Sequence, residues 1–186
     1  DYGGGIRVLT ANFLMDNCIV YNNSGGVSTR GALGFSKGSP VVTNSQFIEN
    51  AKAAFGSAAN ATVSATFANN YLFGNVTDNS NTPQINMGPG GVDSLKVINN
   101  TIIGDRTKIM VGGISASALA GGTNRFRIEG NTIRDNRYGI TSYASTSTGI
   151  IKNNIIENNN TQNNPNLGGS GISIYGAKDV VITGNQ

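Results

Sequence analysis

The chain has no histidine, no tryptophan and one cysteine, and only 12% of its residues are charged. Each shortage excludes a class of chemistry. Without histidine there is no Ser-His-Asp or Cys-His nucleophilic machinery and no histidine-based metal site. A single cysteine, Cys18, makes no intrachain disulfide, and its place in an apolar stretch reads as a buried, inert thiol. The ten acidic residues are scattered and assemble no calcium cage, so neither cofactor nor metal is expected. The thirteen basic residues give a net charge of +3 and a pI near 9.1 without forming a run, which argues against a nucleic-acid partner. No apolar stretch reaches the ~20 residues of a membrane span. Leucine is too sparse for a leucine-rich repeat, and no window holds a 3.6-residue apolar period.

Glycine and asparagine are plentiful: 26 glycines, with asparagine more frequent still. Both tolerate left-handed backbone at tight corners. Between them lie short β-branched runs such as Val180–Thr183 and Val97-Ile98. Such runs, punctuated by Gly and Asn, describe strands and corners rather than helices.

The asparagines also recur in register. Asn17, Ser45 (beside Asn44), Asn70, Asn100, Asn131, Asn154 and Asn185 follow one another at intervals of 28, 25, 30, 31, 23 and 31 residues. A second polar column lies five positions on, at Asn22, Asn50, Asn75, Asp105, Asn136 and Asn159. Apolar columns lie two positions after the step (Ile19, Phe47, Leu72, Ile102, Ile133, Ile156) and three before it (Leu14, Val42, Phe67, Val97, Ile128, Ile151, Ile182). A fixed period of this size is the mark of stacked repeats. The fold expected is all-β: a right-handed parallel β-helix of six to seven coils, about 28 residues each, as one domain over 1–186. Each coil holds three short strands: one after a glycine (Gly139–Ser142), one running into the first Asn (Phe126–Glu129) and one following it (Thr132–Arg134). Side chains alternate across a strand, so Phe126 and Ile128 point in while Arg127 and Glu129 point out. Glu129 and Lys152 fall in register on adjacent coils and read as a surface ion pair. Stacked amides can bond to one another and to corner backbone, so the Asn columns read as structural ladders.

Repeats such as the one from Phe126 to Ile140, and Val180–Asn185, which repeats its first half, resemble the right-handed parallel β-helix repeat of the pectate-lyase-like superfamily. The Gly-rich start, Gly3–Val8 and Gly31–Gly34 ahead of Ser39–Asn50, is similar to the version found in bacterial and archaeal surface proteins. This resemblance implies a fold and a range of functions: polysaccharide lyases, polygalacturonase-type hydrolases, uronate epimerases, tailspikes, adhesins and carbohydrate-binding repeat proteins. The hydrolase Gly-His-Gly and epimerase Asp-Pro-His-Glu motifs are missing. Lyase chemistry on acidic glycans through Arg or Lys stays open.

The connections between coils mark a candidate site. Those over Val76–Pro83, Arg106–Gly112 and Asn160–Ser170 are long, and between the last two lies a very short one, Arg137-Tyr138. Insertions in a solenoid map to one edge, often the binding face. The expected groove has Arg137 and Tyr138 on its floor with Arg134 nearby, and walls of Asp105, Arg106 and Lys108 on one side and segment 160–166 on the other. Arg would clamp a carboxylate or sulfate. Asn-x-Ser/Thr sequons begin at Asn22, Asn60, Asn75, Asn99 and Asn159.

These readings favour a secreted or cell-surface scaffold or adhesin segment that binds a polysaccharide or surface glycan. A lyase-like enzyme and a filament or spike subunit that self-associates through open coil ends are the alternatives. Because the first and last residues fall inside the repeat pattern, flanking coils in a longer protein are expected.

Overall fold

The computed structural model describes residues 4–24, 32–57, 63–87, 92–117, 123–143, 146–164 and 169–186. Among these, twenty short strands, β1 (Ile6–Val8) to β20 (Val180–Thr183), repeat in threes, and there is no helix. The first sheet stacks β1, β4 (Leu33–Phe35), β7 (Phe55–Ser57), β10 (Pro83–Met87), β13 (Gly112–Ala116), β16 (Ile140–Tyr143) and β19 (Ile172–Tyr175). The second stacks β2 (Leu14–Asp16), β5 (Val41–Thr43), β8 (Thr66–Ala68), β11 (Val92–Ile98), β14 (Asn124–Glu129), β17 (Ser147–Lys152) and β20. The third stacks β3 (Ile19–Tyr21), β6 (Gln46–Ile48), β9 (Tyr71–Phe73), β12 (Thr101–Ile103), β15 (Thr132–Arg134) and β18 (Ile155–Glu157). The pairings are parallel throughout. The chain is a parallel β-solenoid of six full coils, with β19 and β20 on a seventh.

Inward side chains fill the tube. Phe47, Phe55, Phe67 and Phe35 are fully buried in the early coils, and Phe55 lies flat on Phe67 with ring centroids 4.0 Å apart. Later coils substitute aliphatics: Ile102, Ile114, Ile128, Ile133 and Ile151. In β14 the alternation is as expected, with Phe126 and Ile128 buried and Arg127 exposed. Glu129 pairs with Lys152 at 3.1 Å and with Arg127, and these hydrogen bonds, Lys152 first, lower its carboxyl below the usual range.

The corner between the second and third sheets carries the first ladder. Asn70, Asn100, Asn131, Asn154 and Asn185 each accept, through Oδ1, the backbone N–H of the preceding coil's rung at 2.9–3.0 Å. From Asn70 through Asn154, each rung's side-chain amide also donates to the Oδ1 of the next coil. Its other hydrogen reaches a strand carbonyl one coil back: Val42, Phe67, Val97, Ile128 and Ile151 in turn. An amide has both donors and acceptors, so a rung can serve neighbours on both sides. Ser45 is the rung of the second coil, and its hydroxyl accepts from the Cys18 N–H.

That last bond corrects the register of the first coil. The rung there is Cys18, not Asn17, and the step to Ser45 is 27 residues. Met15 and Val20 face inward, 8% and 7% exposed, whereas Leu14 and Ile19 face out at 71% and 68%. Asn17 takes the left-handed corner just before the rung (φ 52°), as do Asn44, Asn69, Asn99 and Asn153 in their coils. Cys18 is consequently exposed rather than buried.

The second ladder shifts in the same way. Asn23, not Asn22, donates its N–H and Nδ2 to Asn50 Oδ1, and Asn22 is the left-handed corner (φ 50°). Asn50 donates likewise to Asn75, and Asn136 to Asn159. The rung between Asn75 and Asn136 is not Asp105. Gln84, reaching across from β10, accepts from Asn75 Nδ2 at 3.0 Å and donates to Asn136 Oδ1 at 3.0 Å and to the Ile103 carbonyl at 2.9 Å. The physical reason lies in the donor count: an ionised carboxylate only accepts, and a rung must also donate.

Candidate functional site

The expected groove over Arg137-Tyr138 is bridged. The long connections on either side lean across the short one and touch: Thr161 Oγ donates to the Ile109 carbonyl at 3.3 Å and Gln162 Nε2 meets Met110 Sδ at 3.2 Å. Arg137 reaches to Asn81 Oδ1 at 2.6 Å. Tyr138 lies over Gly112, where a Cβ would fall 2.1 Å from the ring. Burial pushes its phenol up to about 12, with the charge of Arg137 acting the other way. Arg134 and Arg106 both turn to Asp135, at 3.5 and 2.9 Å, and Arg106 also approaches the Asn158 carbonyl. Polar groups on neighbouring long loops satisfy one another sooner than they hold a gap open. Of segment 160–166, residues 165 and 166 lie outside the described residues.

Asp105 and Lys108 belong to a different place. Together with Asn22, Glu49, Phe73, Gly74 and Thr77 they line an open groove of about 300 Å³ along the outer edge of the third sheet. It is built from columns. On the outer face of that sheet Tyr21, Ile48, Phe73 and Ile103 stand in register, one per coil, and Tyr71 lies beside Phe73 with ring centroids 6.5 Å apart. Next along the chain come the corner residues Asn22 and Glu49, both left-handed, and then Gly74 (φ 59°). Because Gly74 has no side chain, the groove keeps its depth there: a Cβ would sit 3.6 Å from Glu49 Cγ and 3.9 Å from Asp105 Cβ. The two carboxylates thus flank Gly74 from the coils on either side.

The walls are held locally. Asp105 Oδ1 accepts from the backbone N–H and the hydroxyl of Thr107 at 2.9 and 2.8 Å, and its carbonyl accepts from Lys108 N–H. On the other wall, Val76 is fully buried at φ 68°, a conformation that a β-branched residue adopts only under constraint. Its N–H is tied to the Asn50 carbonyl at 2.8 Å, which fixes Thr77 at the lip. Asp78 follows, paired with Lys52. Burial acts to raise its carboxyl, but hydrogen bonds from Lys52 and Ser80 outweigh that and lower it.

The groove therefore offers one aromatic face, that of Phe73, with two carboxylates and one ammonium along successive coils. Compared with known proteins, the chain matches no family model, no curated protein and no solved structure. The described residues contain no cluster of three or more metal-ligating side chains and no helix long and apolar enough to cross a membrane. Two sequons are taken up by the fold: Asn75 and Asn159 are buried ladder rungs, while Asn22 and Asn99 are exposed corners. Asn60 lies outside the described residues.

The sequence reading missed Glu49, Phe73 and Gly74 as site residues. The signal was present in the columns. The outer face of the third sheet carries Tyr21, Ile48, Phe73 and Ile103 where a solvated strand would carry polar residues, and Gly74 takes the corner where the first two coils carry the side chains of Asn22 and Glu49.

Proposed function

We propose that this protein is a secreted or cell-surface β-helical scaffold, of the pectate-lyase-like type its repeats resemble, that binds a polysaccharide chain along its lateral groove. One observation carries the reading: an apolar column on an exposed sheet face, aromatic at Tyr21 and Phe73, runs beside a line of polar side chains, at a depth kept by Gly74. Sugars combine apolar C–H faces with rims of hydroxyls, and such ligands are met by aromatic faces with a few placed polar groups. The lining runs from Asn22 on the first coil to Lys108 on the fourth, a length of roughly 15 Å at the ~4.8 Å spacing of paired strands. That suits an extended chain lying along the solenoid axis.

Glycan-array binding followed by titration calorimetry tests this. The wild type is expected to retain polysaccharide, and Phe73→Ala to weaken binding about tenfold, since stacking on an aromatic side chain contributes on the order of 1–1.5 kcal/mol. Retention of no glycan by the wild type, or equal affinity in the variant, would count against the groove.

A further inference from the structure

We infer that the groove selects neutral, hydroxyl-rich glycans over uronate-containing ones, and that Asp105 is a specificity-determining residue of this site. The inference rests on the glycan-binding reading above and adds the ligand's chemistry.

Strand register places Asp105 three residues after Ile102, as Asn75 follows Leu72 and Asn136 follows Ile133. It therefore occupies a ladder position by sequence, yet the rung is supplied by the fully buried Gln84 from another sheet. The side-chain ladder is continuous through Gln84 without residue 105, and the Asp105 carboxylate is left beside Gly74 and Glu49 in the groove. An asparagine at 105 would match the other rungs of this column; the aspartate cannot act as one. Its Oδ1 is held by Thr107, and Oδ2, spared from the ladder to which the neighbouring rungs are committed, is the oxygen available for a ligand.

The chemistry of the lining then sets the ligand class. Ionised carboxylates accept and do not donate, so the ligand must bring donors. Sugar hydroxyls are such donors, and a vicinal pair can bond Asp105 Oδ2 and the Glu49 carboxylate beside it. A uronate carboxylate would instead face Glu49 and Asp105 with only Lys108 to offset them, and like charges at close range are unfavourable. The guanidinium groups that could reverse this balance are directed elsewhere, Arg106 and Arg134 to Asp135 and Arg137 to Asn81.

The experiment is calorimetric titration with laminarihexaose, mannohexaose and hexagalacturonate, on wild type and Asp105→Asn, with thermal melts of both proteins. The expected result is binding of a neutral hexasaccharide and at least tenfold weaker binding of hexagalacturonate. Asp105→Asn should weaken the neutral ligand about tenfold, the loss expected when a charge-assisted hydrogen bond is made neutral, with the melting temperature unchanged. Preferential binding of hexagalacturonate would overturn the inference and leave the glycan-binding reading standing. Unchanged affinity in Asp105→Asn, or a shift in melting temperature in place of affinity, would assign residue 105 a structural role and overturn it too. If neither class binds the wild type, both readings fall.

Discussion

At the scale of single residues, an amide on a sharp corner decides this fold. Asn131 serves three neighbours: its Oδ1 accepts from the Asn100 backbone and side chain, and its Nδ2 bonds the Val97 carbonyl. Asn131→Ala takes these partners from the Asn100 N–H and the Val97 carbonyl, while Asn100 Nδ2 loses one acceptor and keeps the Phe67 carbonyl. The expected cost is about 3 kcal/mol, since each buried unsatisfied group costs roughly 1–3 kcal/mol and relaxation recovers part of it. Urea unfolding measures it, and a loss under ~0.5 kcal/mol would mean the ladder contributes little. The ladders were visible in the sequence, but their first rungs were misplaced by one residue. The cause is chemical: asparagine suits both the left-handed corner and the rung after it. In Asn69-Asn70, Asn99-Asn100 and Asn153-Asn154 both places are filled, and the columns align either way. Where the first coil has Asn17 followed by Cys18, only the corner asparagine remains, and it passes for the rung.

At the scale of strands and connections, sequence patterns specify what faces inward far better than what loops do. The alternation in β14 and the pairing of Glu129 with Lys152 follow from the two-residue period alone. The groove over Arg137 did not survive, because loop length tells how much chain is available and not where its polar groups find partners. Thr161 and Gln162 find theirs on the opposite wall. Gln84 was illegible for a related reason. It lies on a different strand from the column it completes, 52 residues from the Asn136 rung it bonds. Its role yields a sharp expectation. Gln84→Leu strands Asn136 Oδ1 and takes one partner each from Asn75 Nδ2 and the Ile103 carbonyl, which keep the Phe47 carbonyl and the Gly74 N–H. It should destabilise by about 2 kcal/mol on the same per-group cost. Combining it with Asp105→Asn should recover part of that loss in a double-mutant cycle, because the amide at 105 is then able to act as a rung. Strict additivity of the two substitutions would remove the claim that Gln84 stands in for residue 105.

At the scale of the whole molecule, the strands of each coil pair only with those of its neighbours, and stability accumulates along the axis. The middle coils have a partner on both sides. Their ladder residues Asn70, Asn100 and Asn131 are essentially fully buried, whereas the end rungs are open to solvent, Cys18 exposed and Asn185 half-buried. Native-state hydrogen exchange should therefore be slowest for the backbone amides of Asn100 and Asn131 and fastest for strands β1 and β20, grading between them. Uniform protection along the chain would instead indicate a single all-or-none unit.

The rung-to-rung bonds of the first ladder all run one way. Each rung from Ser45 to Asn154 sends its backbone N–H to the Oδ1 of the rung in the coil that follows. A coil of this protein is thus a tile with an arrow on it. A cut between two coils of this ladder leaves rung N–H groups on one face and rung Oδ1 atoms on the other. Those two sets mate head to tail, while head to head sets rung N–H against rung N–H. Duplicating a coil, or joining in one from a similar solenoid, can preserve the hydrogen-bond grammar only when the arrows agree.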